Sequence, residues 1–264
     1  MRTRQSTNKA QNVRFIGRHN SIIARWLCLL VAVFFQLMSP QTSALVFEPT
    51  ALEWSTWPAY CRARYVVSGA GRNSAYANSV SSNEVAKWES RIKPVWSGFH
   101  HYCAAVHVFS RAQKQKSPQM VEHDFLRASK ETTYALDRSS QSHPLYSTML
   151  TLRGRAFFEL GQIERALDDF RLAVRLHPDV PQAYAAWGLL LRRSGDRAEA
   201  RSVLERGIEG TKGGTAELHY LLGIILTELK DYEPALEHAK LAYQMGYPLL
   251  GLKHKLQKSG HWSN

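Results

Sequence analysis

The sequence predicts an all-α solenoid, a stack of helical hairpins behind an irregular helical amino-terminal region. Three observations carry this reading. Gly154, Gly188 and Gly223 recur at intervals of 34 and 35 residues, and Ala166, Ala200 and Ala235 recur at the same intervals. Between each glycine and its alanine lies a turn position, filled by Gly161, Gly195 and Lys230. Each unit thus has room for one helix before the turn and one after it. A fixed period of this length signals repeated supersecondary units, each too small to bury its apolar face alone.

The residue types at the recurring positions fit two helices in close contact. A glycine or alanine at the crossing lets the backbones approach to the short end of the usual ~8–10 Å interaxial distance. Phe157, Leu191 and Leu226 supply a large apolar side chain three residues after each glycine, and Phe170 and Leu204 fill the matching pocket on the second helices. Ala239 puts a small residue at that pocket position in the third unit. Pro178 ends the first unit, because proline cannot continue a helix.

In register, the three units resemble the tetratricopeptide repeat family, and the chain is identified as an exported bacterial member of it. The resemblance covers residues 147–180, 181–214 and 216–249. The first unit carries Gly154, Phe157, Gly161, Ala166, Phe170, Ala173 and Pro178 at the family's positions. The second carries Tyr184, Trp187, Gly188 and Ala200, but has Gly207 in place of an alanine and runs into Thr211-Lys-Gly-Gly214 where the family places a proline. The third has Leu222, Gly223, Tyr232, Ala235 and Ala242. The resemblance implies a right-handed solenoid whose first helices line a concave groove for extended or helical peptides. Carried over by position, that groove holds Thr148, Thr151, Arg155 and Phe158; Gln182, Ala185, Leu189, Arg192 and Arg193; and Glu217, Tyr220, Ile224 and Thr227. Within it, Arg155, Arg192 and Arg193 form a group able to pair with carboxylates of an acidic partner, while Phe158, Leu189 and Tyr220 supply apolar contact. The asparagine-and-lysine carboxylate clamp of chaperone-binding members is not reproduced. After Pro248, residues 250–264 mix apolar and basic residues at helical spacing and read as a terminal capping helix with a polar outer face.

Residues 45–142 are aromatic-rich and less regular. Ser81-Ser-Asn-Glu84 has the N-cap residue and early acid of a helix start. Trp96 to Val106 has the apolar spacing of a repeat's first helix, and Ala128, Thr132 and Ala135 echo a second. A degenerate unit over about 93–142 follows, preceded by a helix carrying Cys61.

The first 44 residues read as a secretory signal peptide. Six cations and no acid lie there, half of the net charge of +12. Trp26–Met38 is a run of thirteen mostly apolar residues, and Thr42-Ser43-Ala44 predicts cleavage after Ala44. Thirteen is short of the ~20 residues a membrane span needs, so an inner-membrane anchor arises only if the segment is retained and extended back through Arg25. The expected location is periplasmic or secreted. Cys28 leaves with the leader, and the remaining pair, Cys61 and Cys103, reads as one disulfide in an oxidising compartment.

No catalytic constellation is present, and no cofactor is implied. Ser68-Gly-Ala-Gly-Arg72 lacks the third glycine of a dinucleotide loop and the Lys-Ser/Thr of a P-loop. Ser90-Arg-Ile-Lys93 has the spacing of a serine–lysine acylation motif without its companions. The chain therefore reads as a non-catalytic interaction scaffold of the bacterial cell envelope. Its expected partner is a protein or peptide, acidic in character. Nucleic acid is not expected, and membrane contact is expected only through the leader if uncleaved. The alternative is a metal-binding or redox-active envelope protein built on His100, Cys103 and His107, which share a helix face, with Cys61 as a fourth ligand.

Overall fold

A computed structural model describes residues 48–262; the expected leader over 1–44, its cleavage site after Ala44 and Cys28 lie outside the described residues. Among these residues the regular structure is all helical. It runs α1 (Ala51–Thr56), α2 (Ala59–Val66), α3 (Ser82–Arg91), α4 (Phe99–Ala112), α5 (Pro118–Leu136), α6 (Pro144–Glu159), α7 (Ile163–Leu176), α8 (Pro181–Arg193), α9 (Arg197–Gly210), α10 (Ala216–Glu228), α11 (Tyr232–Gln244) and α12 (Gly251–Lys258), with short 3₁₀ turns at Gly71–Asn73 and Lys93–Val95.

Local chemistry sets the helix ends. Thr50 and Glu53 form a reciprocal capping box at α1, and Ser81 accepts from the Glu84 amide at α3, as the sequence around Ser81 predicts. Helices α5, α6 and α8 open on Pro118, Pro144 and Pro181, where the missing N–H costs nothing. Helix α6 starts a turn earlier than the unit boundary at residue 147, because Pro144 and the His143 ring, which accepts from the Leu145 amide at 3.2 Å, define its first turn. Ser68–Arg72 is a turn: Ser68 Oγ donates to the Tyr65 carbonyl and accepts from the Gly71 amide.

Three hairpins close on the same backbone bond. The amides of Gln162, Asp196 and Asp231 donate to the carbonyls of Phe157, Leu191 and Leu226 at 2.8, 2.9 and 2.9 Å. That closure demands a left-handed residue just before the donor. Gly161 and Gly195 provide it, and Lys230 adopts it at φ 63°.

Helix α4 pairs with α5, α6 with α7, α8 with α9, and α10 with α11, and the first helices α4, α6, α8 and α10 lie side by side. The crossings are close. A Cβ on Gly154 would stand 2.7 Å from the Phe170 ring, and one on Gly188 would stand 2.8 Å from Leu204. Gly207 replaces an alanine because Tyr184 presses on it, leaving 2.7 Å for any added carbon. The third unit solves its small Ala239 differently: Leu252 of α12 comes across to within 2.5 Å of where a Gly223 Cβ would sit. The capping helix therefore supplies the side chain that its own hairpin lacks. Trp262 packs edge-on to Tyr243, with Lys253 over its ring.

The second and third hairpins are joined by an irregular segment in which Lys212, Gly213 and Gly214 all have positive φ. Buried His219 fastens it. Its Nε2 donates to the Gly213 carbonyl at 2.9 Å, which leaves Nδ1 to accept from His238 Nδ1 at 2.9 Å.

At the amino end, Cys61 of α2 and Cys103 of α4 are joined by a disulfide closing 42 residues of chain. Such a loop stabilises by about 4 kcal/mol in the chain-entropy account. Trp54 stacks on Tyr76 at 4.3 Å, and Trp57, Tyr65, Phe99 and Tyr102 continue one aromatic core into the first hairpins.

Candidate functional site

The first helices α4, α6, α8 and α10 form a row in which each touches the next. The groove residues expected on it do not all reach solvent. Thr151 is buried, its hydroxyl turned back to the Ser147 carbonyl at 2.8 Å, and Ile224 is buried in the core. The reason is packing. Each first helix is flanked by its own second helix and by the first helices of adjacent hairpins, so only a narrow strip stays open. Phe158 and Tyr220 are half-buried, and Leu189 is exposed.

The arginine group is also rearranged. Arg192 donates to Glu228 from Nε and Nη2 at 2.9 and 2.6 Å, and Arg197 reaches the other oxygen of the same carboxylate at 3.2 Å. Burial opposes ionisation of Glu228, but its bonds to the two arginines outweigh that and hold its pKa below the ordinary value. Arg193 pairs with Glu159 at 2.7 Å and lies 4.2 Å over the Phe158 ring. Arg192 and Arg193 are therefore spent within the chain rather than offered as a clamp with Arg155.

Arg155 differs. It makes no ion pair with a described residue. Its guanidinium lies 4.6 Å over the Phe109 ring of α4, an arrangement favoured by the ring's quadrupole. The side chain is solvent-exposed, yet surrounding protein lowers its pKa against the opposing pull of Glu217, Glu159 and Tyr102. Groups from α4, α6 and α10 converge on one cation that water still reaches. A guanidinium stays charged in such a place. Near it, between the start of α5 and the end of α6, is a cavity of about 350 Å³ lined by Lys116, Val121, Glu122 and Glu159.

The alternative metal centre does not gather among the described residues. The disulfide consumes both cysteines, and a thiolate ligand must be free. His100 Nδ1 accepts from Arg64 Nη2 at 3.1 Å, while buried His107 stands 3.7 Å from Glu53. Among the described residues no three His, Cys, Asp or Glu side chains gather as a metal site requires.

With the hairpins and their pairing in place, comparison with known families is decisive for the architecture. The tetratricopeptide repeat family matches residues 119–181 and 185–246. Those two stretches are similar to tetratricopeptide repeats. The first matched stretch begins in α5, so the repeats extend further toward the amino end than the three regular units. Tetratricopeptide repeats are in general protein-interaction scaffolds. Among solved structures, the Sgt2 TPR domain from Aspergillus fumigatus is 24% identical, with a TM-score of 0.37, covering 48% of this chain and 80% of that one. No curated protein matches the chain.

Of the carboxylates on this face, position in the repeat identifies Glu217 but not Glu159 or Glu228. Their signal was present: Glu159, Arg193 and Glu228 are spaced by 34 and 35 residues, the repeat interval itself. The column pairs in its first rung, Arg193 with Glu159, whereas Glu228 is taken by Arg192, one residue before the column.

Proposed function

We propose that the chain is a non-catalytic scaffold of the bacterial cell envelope that holds an acid-bearing peptide or protein segment on its first-helix face. Arg155 is the single observation that carries this reading. Its neighbours Arg192 and Arg193 are neutralised by internal carboxylates, whereas Arg155 keeps its charge available and sits among aromatic rings. A partner carboxylate would take a bidentate pair from it, while Phe158, Leu189 and Tyr220 contact apolar side chains along the same strip. Because the hairpins are already folded, little ordering entropy is lost by the scaffold on binding. Because Arg192 and Arg193 are paired to Glu228 and Glu159, Arg155 offers one site, which suits one carboxylate flanked by apolar residues better than an acidic run.

Export is part of the proposal. The leader-like residues 1–44 support it, as does the Cys61–Cys103 bond, which persists in an oxidising compartment. A peptide array probed with the full chain tests the binding claim. The reading expects captured peptides to share an acidic residue beside apolar ones, and Arg155→Glu to lose them. Equal capture by Arg155→Glu removes it. Amino-terminal sequencing of protein recovered from the envelope tests export, with a mature start at Leu45 expected.

A further inference from the structure

We propose that the carboxy-terminal end of the repeat stack is a docking surface for an anionic lipid bilayer. From His238 to Asn264, 27 residues hold four lysines and no Asp or Glu. None of Lys240, Lys253, Lys255 and Lys258 has an ion-pair partner among the described residues. What sets this end apart is the lack of any Asp or Glu among its own residues.

The same end exposes its largest apolar side chains. Met245, Leu249 and Leu250 are 49, 57 and 51% exposed, and Leu241 adds to them on α11. They are held as one unit. The Tyr243 hydroxyl donates to the Leu249 carbonyl at 3.2 Å and accepts from the Lys253 amide at 3.0 Å, tying the turn and the start of α12 to α11. Tyr220 stacks on Tyr247 at 4.2 Å on the inner side of that turn. Leu252 and Leu256 face the core, so the exposed residues of α12 are Gly251, His254, Lys255 and Lys258. A rigid turn tipped with leucines and flanked by unpaired lysines has what a bilayer interface rewards: apolar side chains below the headgroups and cations beside anionic phosphates.

Charge decides against a second copy of this chain, since a two-fold pairing would bring lysines against lysines. A soluble polyanion has a use for the lysines but none for the leucines. A bilayer accounts for both.

The test is co-sedimentation of the full chain with vesicles of phosphatidylcholine containing phosphatidylglycerol, against phosphatidylcholine alone. The parent is compared with Leu249→Ser/Leu250→Ser and with Lys255→Glu/Lys258→Glu. The amino-terminal apolar segment is the same in all three, so differences report on this surface. The altered side chains are solvent-exposed, and unchanged helical circular dichroism verifies the fold. We expect binding that needs phosphatidylglycerol, weakens with salt, and falls at least about tenfold in each variant. Parent-like binding by either variant overturns the proposal, as does equal binding to the uncharged vesicles. Loss in the lysine variant alone, with equally tight parent binding to soluble polyglutamate, assigns the surface to an acidic macromolecule and also overturns it.

Discussion

Lys230 stands in a left-handed conformation that the equivalent turns give to glycine. Its φ of 63° costs an L-residue about 1–2 kcal/mol, part of which glycine would return to the unfolded chain. Lys230→Gly is therefore expected to raise stability by about 0.5–1 kcal/mol, read by urea unfolding; a loss of stability would show that the lysine contributes something the turn geometry does not. At this scale the sequence announces positions better than it announces partners. Gly154, Gly188 and Gly223 declare a close crossing because nothing larger fits. Arg192 and Arg193 looked available because a single residue does not reveal its partner: Glu228 and Glu159 lie 36 and 34 residues away. Register puts Thr151 and Ile224 on first helices, but register alone does not say how much of a helix its neighbours cover.

Among the elements, α12 shows most clearly how one helix completes another. The third hairpin has Ala239 where the others have Phe170 and Leu204, and Leu252 fills the vacancy from outside the unit. Leu252→Ala is expected to cost about 2–5 kcal/mol, the range for emptying a buried leucine site. A coupling experiment is sharper. Gly223→Ala, which pushes a methyl into Leu252, should be more costly in the parent than in the Leu252→Ala background; equal costs would contradict the contact. The cap helix was readable from its spacing, whereas its role as a substitute core residue was not, because the missing atom lies beyond the repeat period. At the other end, α2 depends on the disulfide to α4. Cys61→Ser/Cys103→Ser should lower stability by about 2–5 kcal/mol in urea unfolding, and an unchanged midpoint would mean the bond staples nothing.

The whole molecule should be sensitive to mild acid. Burial, aided by the nearby Arg64 charge, lowers the His100 pKa from 6.5 to about 4. Burial also lowers His107 to about 4 against the pull of Glu53, and His238 shifts down through burial and the adjoining His219. In each case the unfolded chain binds protons that the folded chain refuses. Stability is thus fully present above the unfolded value and is lost as pH falls from about 6.5 to about 4. His100→Gln should flatten that slope in urea titrations; an identical slope would place the acid sensitivity elsewhere. Function at this scale rests on the division of labour among the first-helix arginines. Affinity for an acid-bearing peptide selected from the array, measured beside the melting temperature for Arg155→Ala and Arg192→Ala, tests it most directly. Arg155→Ala is predicted to lose at least about tenfold in affinity with its melting temperature unchanged, in keeping with a lost charged pair, and Arg192→Ala to lower the melting temperature with affinity kept. Affinity lost in Arg192→Ala and retained in Arg155→Ala would contradict the assignment.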